Sequence, residues 1–286
     1  MAKRALSETE IDQHTILRAD KKIKLQDDDY TVGWICAITT EYVAAQAFLD
    51  ETHGEPEHLA TNDDNIYTLG KIGKHNIAVT VLPHGEYGTA SAAAVGTHMR
   101  HSFPNIRIGL MVGIGGGAPN RKHDIRLGDI VVSTPRDGKG GVIQYDFDQP
   151  PLLLRTAVNA LKAKYEVDGH QIEDAINAIF DHRPRLRKNY QRPDSKSDIL
   201  YQADVVHPAA SEDESCEHAC GTNDSPKVVP RSPRGKEEDN PAIHYGMIAS
   251  GNQLKKDALI RDKLAAEQNI LCFEMEAAGL MNTFHA

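Results

Sequence analysis

The sequence predicts an α/β protein, a three-layer sandwich in which helices cover a mixed, mostly parallel central sheet. Three observations lead to this prediction. Apolar runs rich in β-forming residues are typical of strands covered on both faces of a parallel sheet. These runs alternate with helical patterns, and glycine-rich turns follow several of them. The chain has 286 residues, of which 40% are apolar.

The first strand is predicted over residues 31–38, which are almost wholly apolar. Thr39 and Thr40 then offer N-cap chemistry to a helix. A glycine-containing reversal joins the next two predicted strands. The later predicted elements, in chain order, are strands 65–69 and 76–82, helix 89–102, strands 106–112 and 130–133, helices 152–164 and 171–180, strand 242–250, helix 255–267, strand 270–273 and helix 274–284.

Polar composition divides the chain into a body and two further segments. Residues 1–29 lack a sustained period and are expected to form a flexible N-terminal arm. Residues 182–241 contain only 15 apolar side chains in 60 positions, too few to bury a core, so we expect a disordered insert. Residues 30–286 are therefore expected to be one domain that this insert interrupts.

Charge and hydropathy exclude several classes of function. The chain has no apolar run long enough for a membrane span and no secretory signal, so a cytoplasmic location and no membrane partner are expected. The formal charge of −9 without a basic stripe argues against nucleic acid. Cys216 and Cys220, with His207 and His218 nearby, do not follow the usual zinc pattern of paired cysteines and histidines, so no metal is expected.

Glycine-rich turns follow three predicted strands, at residues 85–88, 113–117 and 138–141. Glycine allows positive φ and a close approach of backbone N–H groups to a ligand. Residues 113–117 are the most specific of the three, because four glycines follow a buried strand directly. They fit neither a P-loop nor a dinucleotide-binding fingerprint. Each turn could also be a tight turn without a ligand.

Acidic residues lie where predicted strands end. Glu41 follows the first strand at the start of its helix, where the helix dipole alone would favour a carboxylate. Glu274 and Glu276 flank Met275 after the last strand. One of these two is expected to enter a pocket, where it could accept hydrogen bonds from vicinal hydroxyls, and helix capping is the alternative.

Four segments resemble the ordered landmarks of the nucleoside phosphorylase and nucleosidase superfamily, most closely its fungal members. They are VGWICAITTEY at 32–42, VGIGGG at 112–117, RLGDIVVS at 126–133 and FEMEAAG at 273–279. The resemblance implies cleavage of the N-glycosidic bond of a purine nucleoside or nucleotide. It implies water or phosphate as co-substrate, no cofactor and, by analogy, a homo-oligomer.

The resemblance also assigns roles to residues. Glu41 would be catalytic and position or deprotonate water, Glu276 would bind the ribose hydroxyls, and Met275 would pack on the sugar. The other substrate-binding residues that it implies are Gly113, Ile114, Gly115, Gly116, Tyr145 and Phe147.

Departures from the family pattern shape the expected chemistry. Met111 and Ile114 stand where phosphorylases have an arginine and a serine, and Thr40 stands where an arginine would follow the first strand. Phosphate would lack charge-assisted donors, so hydrolysis is favoured over phosphorolysis.

Family members carry a general-acid Asp on a strand beyond the helix that starts near Glu276, and we expect the fold to be incomplete there. A catalytically impaired nucleoside-binding module derived from a fungal signalling protein is therefore the alternative.

Overall fold

The computed structural model describes residues 23–135, 141–143, 152–209, 213–235, 237–253, 255–281 and 283–284. Most of the predicted N-terminal arm lies outside the described residues, as do the first three residues of the 138–141 turn. Tyr145 and Phe147 also lie outside them. Residues 23–29 are described and lie against the body: Asp27 accepts hydrogen bonds from the backbone amides of Glu57 and His58.

The first sheet is mixed and contains five strands in the order β2-β3-β4-β1-β5. Strand β1 pairs in parallel with β4 on one side and β5 on the other, whereas β2-β3 and β3-β4 are antiparallel. Gly73, at φ +57°, forms the reversal between β3 and β4. The strands are β1 (Val32–Cys36), β2 (Glu51–Thr52), β3 (Thr68–Ile72), β4 (His75–Val81) and β5 (Ile108–Met111).

Helices cover both faces of this sheet because the side chains of β1 alternate between them. Val32 and Cys36 pack with Ala45 of helix α1 (Thr39–Ala47). Ile35 faces the opposite side, where it joins a cluster that contains Met99 of helix α2 (Thr89–Ser102). The alanine-rich sequence of α2 allows close packing, and the sheet becomes the middle layer of three.

The second sheet is also mixed, with the order β6-β10-β9-β7, and β8 pairs with β9. Pairs β9-β10, β7-β9 and β8-β9 are parallel and β6-β10 is antiparallel. The chain passes directly from β5 of the first sheet into β6 of the second. The strands are β6 (Gly116–Gly117), β7 (Ile130–Ser133), β8 (Val142–Ile143), β9 (Ile243–Ser250) and β10 (Ile270–Glu274).

Helix α8 (Ala277–Met281) connects the second sheet to the first. Its Leu280 belongs to the core cluster of Met99, and Gly279 approaches the backbone of Thr89 so closely that any Cβ there would clash with the Thr89 carbonyl. The remaining helices of the body are α3 (Leu152–Asp168), α4 (Ile172–His182) and α7 (Ala258–Gln268).

The predicted α/β class with mixed, mostly parallel pairing is confirmed, although the described strands form two sheets where the sequence predicts one. None of the described helices has the length and apolar content needed to cross a bilayer. The final helix is shorter than predicted and begins at Ala277, because Glu274 extends β10.

The polar segment, residues 182–241, has local structure in the part that the structure describes. Its described part contains helices α5 (Pro184–Tyr190) and α6 (Cys216–Ala219) and an antiparallel bridge between Tyr201 and Val228. Ion pairs contribute to its attachment to the body. Arg231 pairs with Asp124, at 3.3 Å.

A second attachment is at Asp129, just before β7. Both of its carboxylate oxygens accept hydrogen bonds from Arg234, and its Oδ2 lies 3.1 Å from Nε2 of His244. The Asp129 side chain is fully buried and that of Arg234 is 11% exposed. Burial by itself would raise the pKa of Asp129, but the hydrogen bonds, above all those from Arg234 and His244, hold it well below its usual value.

Candidate functional site

Glu41 joins the end of β1 to the glycine-rich loop that follows β5. Its Oε2 accepts hydrogen bonds from the backbone amides of Ala37, at 2.7 Å, and Ile38, at 3.2 Å. Its Oε1 accepts one from the amide of Ile114, at 2.7 Å. A carboxylate can accept about four hydrogen bonds, so roughly one acceptor position remains, on Oε1.

The glycine-rich loop fits tightly between Glu41 and β10. A Cβ at Gly113 would lie 2.7 Å from Oε1 of Glu41. A Cβ at Gly115 would clash with the Cys272 sulfur, and Gly116 pairs with Phe273 across the sheet. Glycine is therefore required for the loop to lie this close to both neighbours. The side chain of Ile114 is 69% exposed beside them.

Glu276 follows β10 and is 7% exposed. Its Oε1 accepts a hydrogen bond from the amide of Gly88, at 3.2 Å, and its Oε2 one from the amide of Met275, at 3.1 Å. Each oxygen therefore keeps an acceptor position. Glu274 has a different role: its Oε2 accepts from the amides of Glu276 and Ala277, at 2.9 and 2.8 Å, and so caps α8.

The pKa of Glu276 is raised above its usual value. Burial is the main cause, and the negative charges of Glu274 and Glu41 raise it further, while the amides of Gly88 and Met275 lower it. Glu41 and Glu276 are also linked through the glycine-rich loop, because Ile114 donates to Glu41 and Gly116 pairs with Phe273 of β10. Two acidic groups more than 200 positions apart in the chain thus belong to one site.

Gly88 and Asn252 are parts of this site that the sequence analysis did not assign. Gly88 adopts φ +95°, a region that glycine alone occupies readily, and this turns its N–H towards Glu276. Asn252 Oδ1 accepts from the amide and hydroxyl of Thr89, at 2.9 and 3.0 Å, and thereby caps α2. The 85–88 turn was a signal for Gly88, whereas no sequence pattern pointed to Asn252.

The structure brings together most of the residues that the sequence assigned to the site. They lie at the carboxyl ends of β1, β5 and β10 and on the loops that follow. Ligand-binding residues of α/β sheets usually lie at these ends. These residues are Glu41, Gly113, Ile114, Gly115, Gly116, Met275 and Glu276. Tyr145 and Phe147 lie outside the described residues.

The electrostatic character of the site is negative. Among the described residues, no Lys, Arg or His forms an ion pair with Glu41 or Glu276, and every protein hydrogen bond to these carboxylates comes from a backbone amide. Such a site can accept hydrogen bonds from hydroxyl groups and stabilise positive charge. It offers little to an anion.

A separate cluster in the polar segment contains side chains that can bind a metal. The side chains of His207, Cys216 and Cys220 lie together there, with their potential ligand atoms all within 4.8 Å of one another. The spacing of these residues is unusual for a zinc site, so the sequence predicts no metal here.

Sequence comparison identifies a family and one relative. A sequence model of the family described as "Phosphorylase superfamily" matches residues 31–283. A protein of Hyaloscypha variabilis, described as a nucleotide-binding leucine-rich repeat (NLR)-like protein, is 41% identical over 282 residues. The match covers 93% of this chain and 27% of that protein, so the chain spans about a quarter of its relative.

Structural comparison finds solved proteins of low sequence identity. The futalosine hydrolase of Helicobacter pylori matches with a TM-score of 0.41 and 15% identity, covering 89% of this chain and 78% of that one. The 5′-methylthioadenosine/S-adenosylhomocysteine nucleosidase of Neisseria meningitidis, solved with methylthio-immucillin-A, matches with a TM-score of 0.41 and 12% identity. That match covers 88% of this chain and 78% of that one.

Proposed function

The chain belongs to the phosphorylase superfamily, and on that premise we propose that it cleaves the N-glycosidic bond of a purine nucleoside or nucleotide, by hydrolysis rather than phosphorolysis. The observation that carries the proposal is that the loop bonded to Glu41 also pairs with β10, which Glu276 follows, and that backbone amides hold both carboxylates. Their remaining acceptor positions are available to a ligand.

Glu276 has the acceptor capacity that a ribose requires. One position is left on each of its oxygens after the hydrogen bonds from Gly88 and Met275. Two adjacent acceptors match the two vicinal hydroxyls of a ribose ring. In this proposal Glu276 fixes the sugar, Met275 packs on its face, and Gly113, Ile114, Gly115 and Gly116 line the pocket around the nucleophile and the base.

Cleavage of the glycosidic bond leaves positive charge on the sugar and negative charge on the departing base. Carboxylates held in place before the reaction stabilise the developing cation without reorganisation. The free position on Oε1 of Glu41 would accept a hydrogen bond from a water molecule and orient it towards the sugar. Glu41 is thus the proposed catalytic residue.

The preference for water over phosphate rests on charge. A phosphate dianion would lie near two carboxylates, and the described part of the site has no cation paired with either of them. Tight phosphate sites normally rely on charge-assisted donors such as arginine. A neutral water molecule has no such requirement.

The decisive experiment incubates the purified chain with adenosine, inosine, methylthioadenosine and ATP, with and without phosphate, and measures the free base by chromatography. We expect base and the free sugar without phosphate. Base that forms only when phosphate is present would reverse the preference for hydrolysis.

The variant Glu276→Gln tests the role of the carboxylate. A hydrogen bond to a charged group contributes about 1.5–3 kcal/mol, so we expect kcat/KM to fall by about 10- to 100-fold for each hydrogen bond to a sugar hydroxyl that the substitution removes. Glu267→Gln is the matched control, because Glu267 is exposed at the end of α7. An equal effect in both variants would contradict the assignment.

A second candidate function is nucleoside binding without turnover, as a module of a signalling protein. The NLR-like description of the fungal relative favours it. Calorimetric titration with the same nucleosides distinguishes the two functions. Binding without any release of base supports the module, whereas release of base at a rate that depends on Glu276 supports the enzyme.

A further inference from the structure

We propose that the polar segment holds a zinc ion through His207, Cys216 and Cys220, with water in the fourth position. The proposal does not depend on the catalytic site. It rests on the mutual geometry of three side chains, two of them one helical turn apart and the third nine positions earlier in the chain.

The distances from His207 to the two sulfurs match those of a tetrahedral zinc site. His207 Nδ1 lies 3.6 Å from the sulfur of Cys216 and 3.4 Å from that of Cys220. Zn–S bonds of about 2.3 Å and Zn–N bonds of about 2.05 Å at the tetrahedral angle separate N and S by about 3.6 Å. All three ligand atoms lie within 4.8 Å of one another, so side-chain movements would bring them around one ion.

Local structure explains why the two sulfurs face the same way. Cys216 begins α6 and Cys220 caps its C-terminus, and residues four apart share one face of a helix. Cys220 is buried and Cys216 is exposed, so the ion would lie at the surface with one side open to solvent. Three protein ligands and one water are a common zinc arrangement.

The neighbouring backbone also holds the cluster in place. The Tyr201 hydroxyl donates to the carbonyl oxygen of Gly221, at 2.7 Å, and Tyr201 forms the bridge with Val228. The chain on both sides of α6 is therefore tied together next to the ligands. The chemistry of the ligands selects the metal, since thiolates and imidazole together favour zinc over magnesium or calcium.

When zinc binds, the two thiols would release their protons to solvent and bind the ion as thiolates. The neutral His207 imidazole would be the third ligand. The two thiolate charges balance the charge of the ion. The ion would cross-link residues 207–220 and reinforce a segment whose apolar residues are too few to hold it.

The first test uses the whole chain. Protein expressed with added zinc is desalted and its metal content measured, and we expect one equivalent of zinc per chain. Cys216→Ser and Cys220→Ser should each lose most of it. His218→Gln should keep it, because His218 is an exposed histidine beside the cluster that bonds to Ser215 instead.

The second test needs no variant and so does not depend on whether the variants fold. Metal-free wild-type chain is treated with iodoacetamide before and after addition of Zn²⁺, and each cysteine is followed by mass spectrometry. We expect zinc to protect Cys216 and Cys220. Cys36 and Cys272 are internal controls, because both are buried in the body of the fold and their labelling should not respond.

Cobalt substitution supplies a spectroscopic readout. Co²⁺ added to the metal-free chain should give the near-ultraviolet band of thiolate-to-cobalt charge transfer, and excess Zn²⁺ should remove it. Three results would overturn the proposal. The first is the absence of both bound zinc and protection of the two thiols. The others are an equal loss of zinc in His218→Gln, and a disulfide between Cys216 and Cys220 in protein freshly purified in the presence of a reductant.

Discussion

The variant Asp129→Asn is expected to destabilise the fold strongly, because it removes the charge on which the polar segment depends. Asp129 is fully buried and accepts hydrogen bonds from Arg234, His244 and the amides of Arg126 and Ala242. The substitution leaves the Arg234 guanidinium charged, 11% exposed and without its partner.

The expected magnitude follows from this burial. Breaking a buried ion pair by removing one partner typically costs about 3–5 kcal/mol. The lower end applies here for two reasons. Arg234 also donates to the carbonyl oxygen of Asp124, at 3.2 Å. Arg192, which also pairs with Asp129 at 3.6 Å, is exposed enough to turn to solvent. We therefore expect the free energy of unfolding to fall by about 3 kcal/mol.

Urea denaturation followed by circular dichroism measures this difference. Asp181→Asn is the matched control, because the Asp181 pair with Arg187 is solvent-exposed and such pairs contribute about 0–1 kcal/mol. The double variant Asp129→Asn/Arg234→Met should lose less than the sum of the single variants. A loss in Asp129→Asn no larger than that in Asp181→Asn, or strict additivity in the double variant, would refute the reasoning.

Three further predictions concern the site and the pH dependence of stability. Gly88→Ala should lower the free energy of unfolding by about 1–3 kcal/mol, because φ is +95° and the new Cβ would lie 2.6 Å from Oδ1 of Asn252. The control Gly251→Ala, whose Cβ meets open space, should change this free energy little. Similar urea midpoints in the two variants would contradict the prediction. If Glu276 must be ionised to bind the sugar, kcat/KM should fall at acid pH with a pKa above the ordinary Glu value of about 4.3. If the pH–rate profile of Glu276→Gln shows the same fall at acid pH, Glu276 is not the group responsible for it. Because the pKa of Asp129 is lowered in the fold, its contribution to stability should be complete above the unfolded value of about 3.9 and be lost as the pH falls below it; urea titrations at several pH values should show a shallower acid decline in Asp129→Asn.

Local patterns in the sequence were sufficient for the elements that position the site. The apolar run at β1 and the alanine-rich α2 are read correctly because burial and helix propensity act over a few neighbouring residues. The positions of Glu41 and Glu276 after strand ends also follow from the pattern. Their convergence depends on the rule that ligand-binding loops gather at the carboxyl ends of strands.

The features that the sequence did not predict depend on pairs of distant residues. Asp129 and Arg234 are 105 positions apart, so composition alone could not reveal that the polar segment is attached to the body. The same holds for the amide of Gly88, which lies 188 positions from Glu276. A hydrophobicity pattern carries no information about which charge or amide lies opposite.

The hydrogen bond between Gly88 and Glu276 has a consequence for folding. It closes a loop of 188 positions, and closing long loops costs entropy before distant interactions can compensate. The site therefore exists only after α8 has docked against α2. A nucleoside that binds there would stabilise this long-range contact, and its stabilising effect would grow with ligand concentration as RT ln(1 + [L]/Kd). Thermal shift in the presence of ligand would thus report the assembly of the whole body.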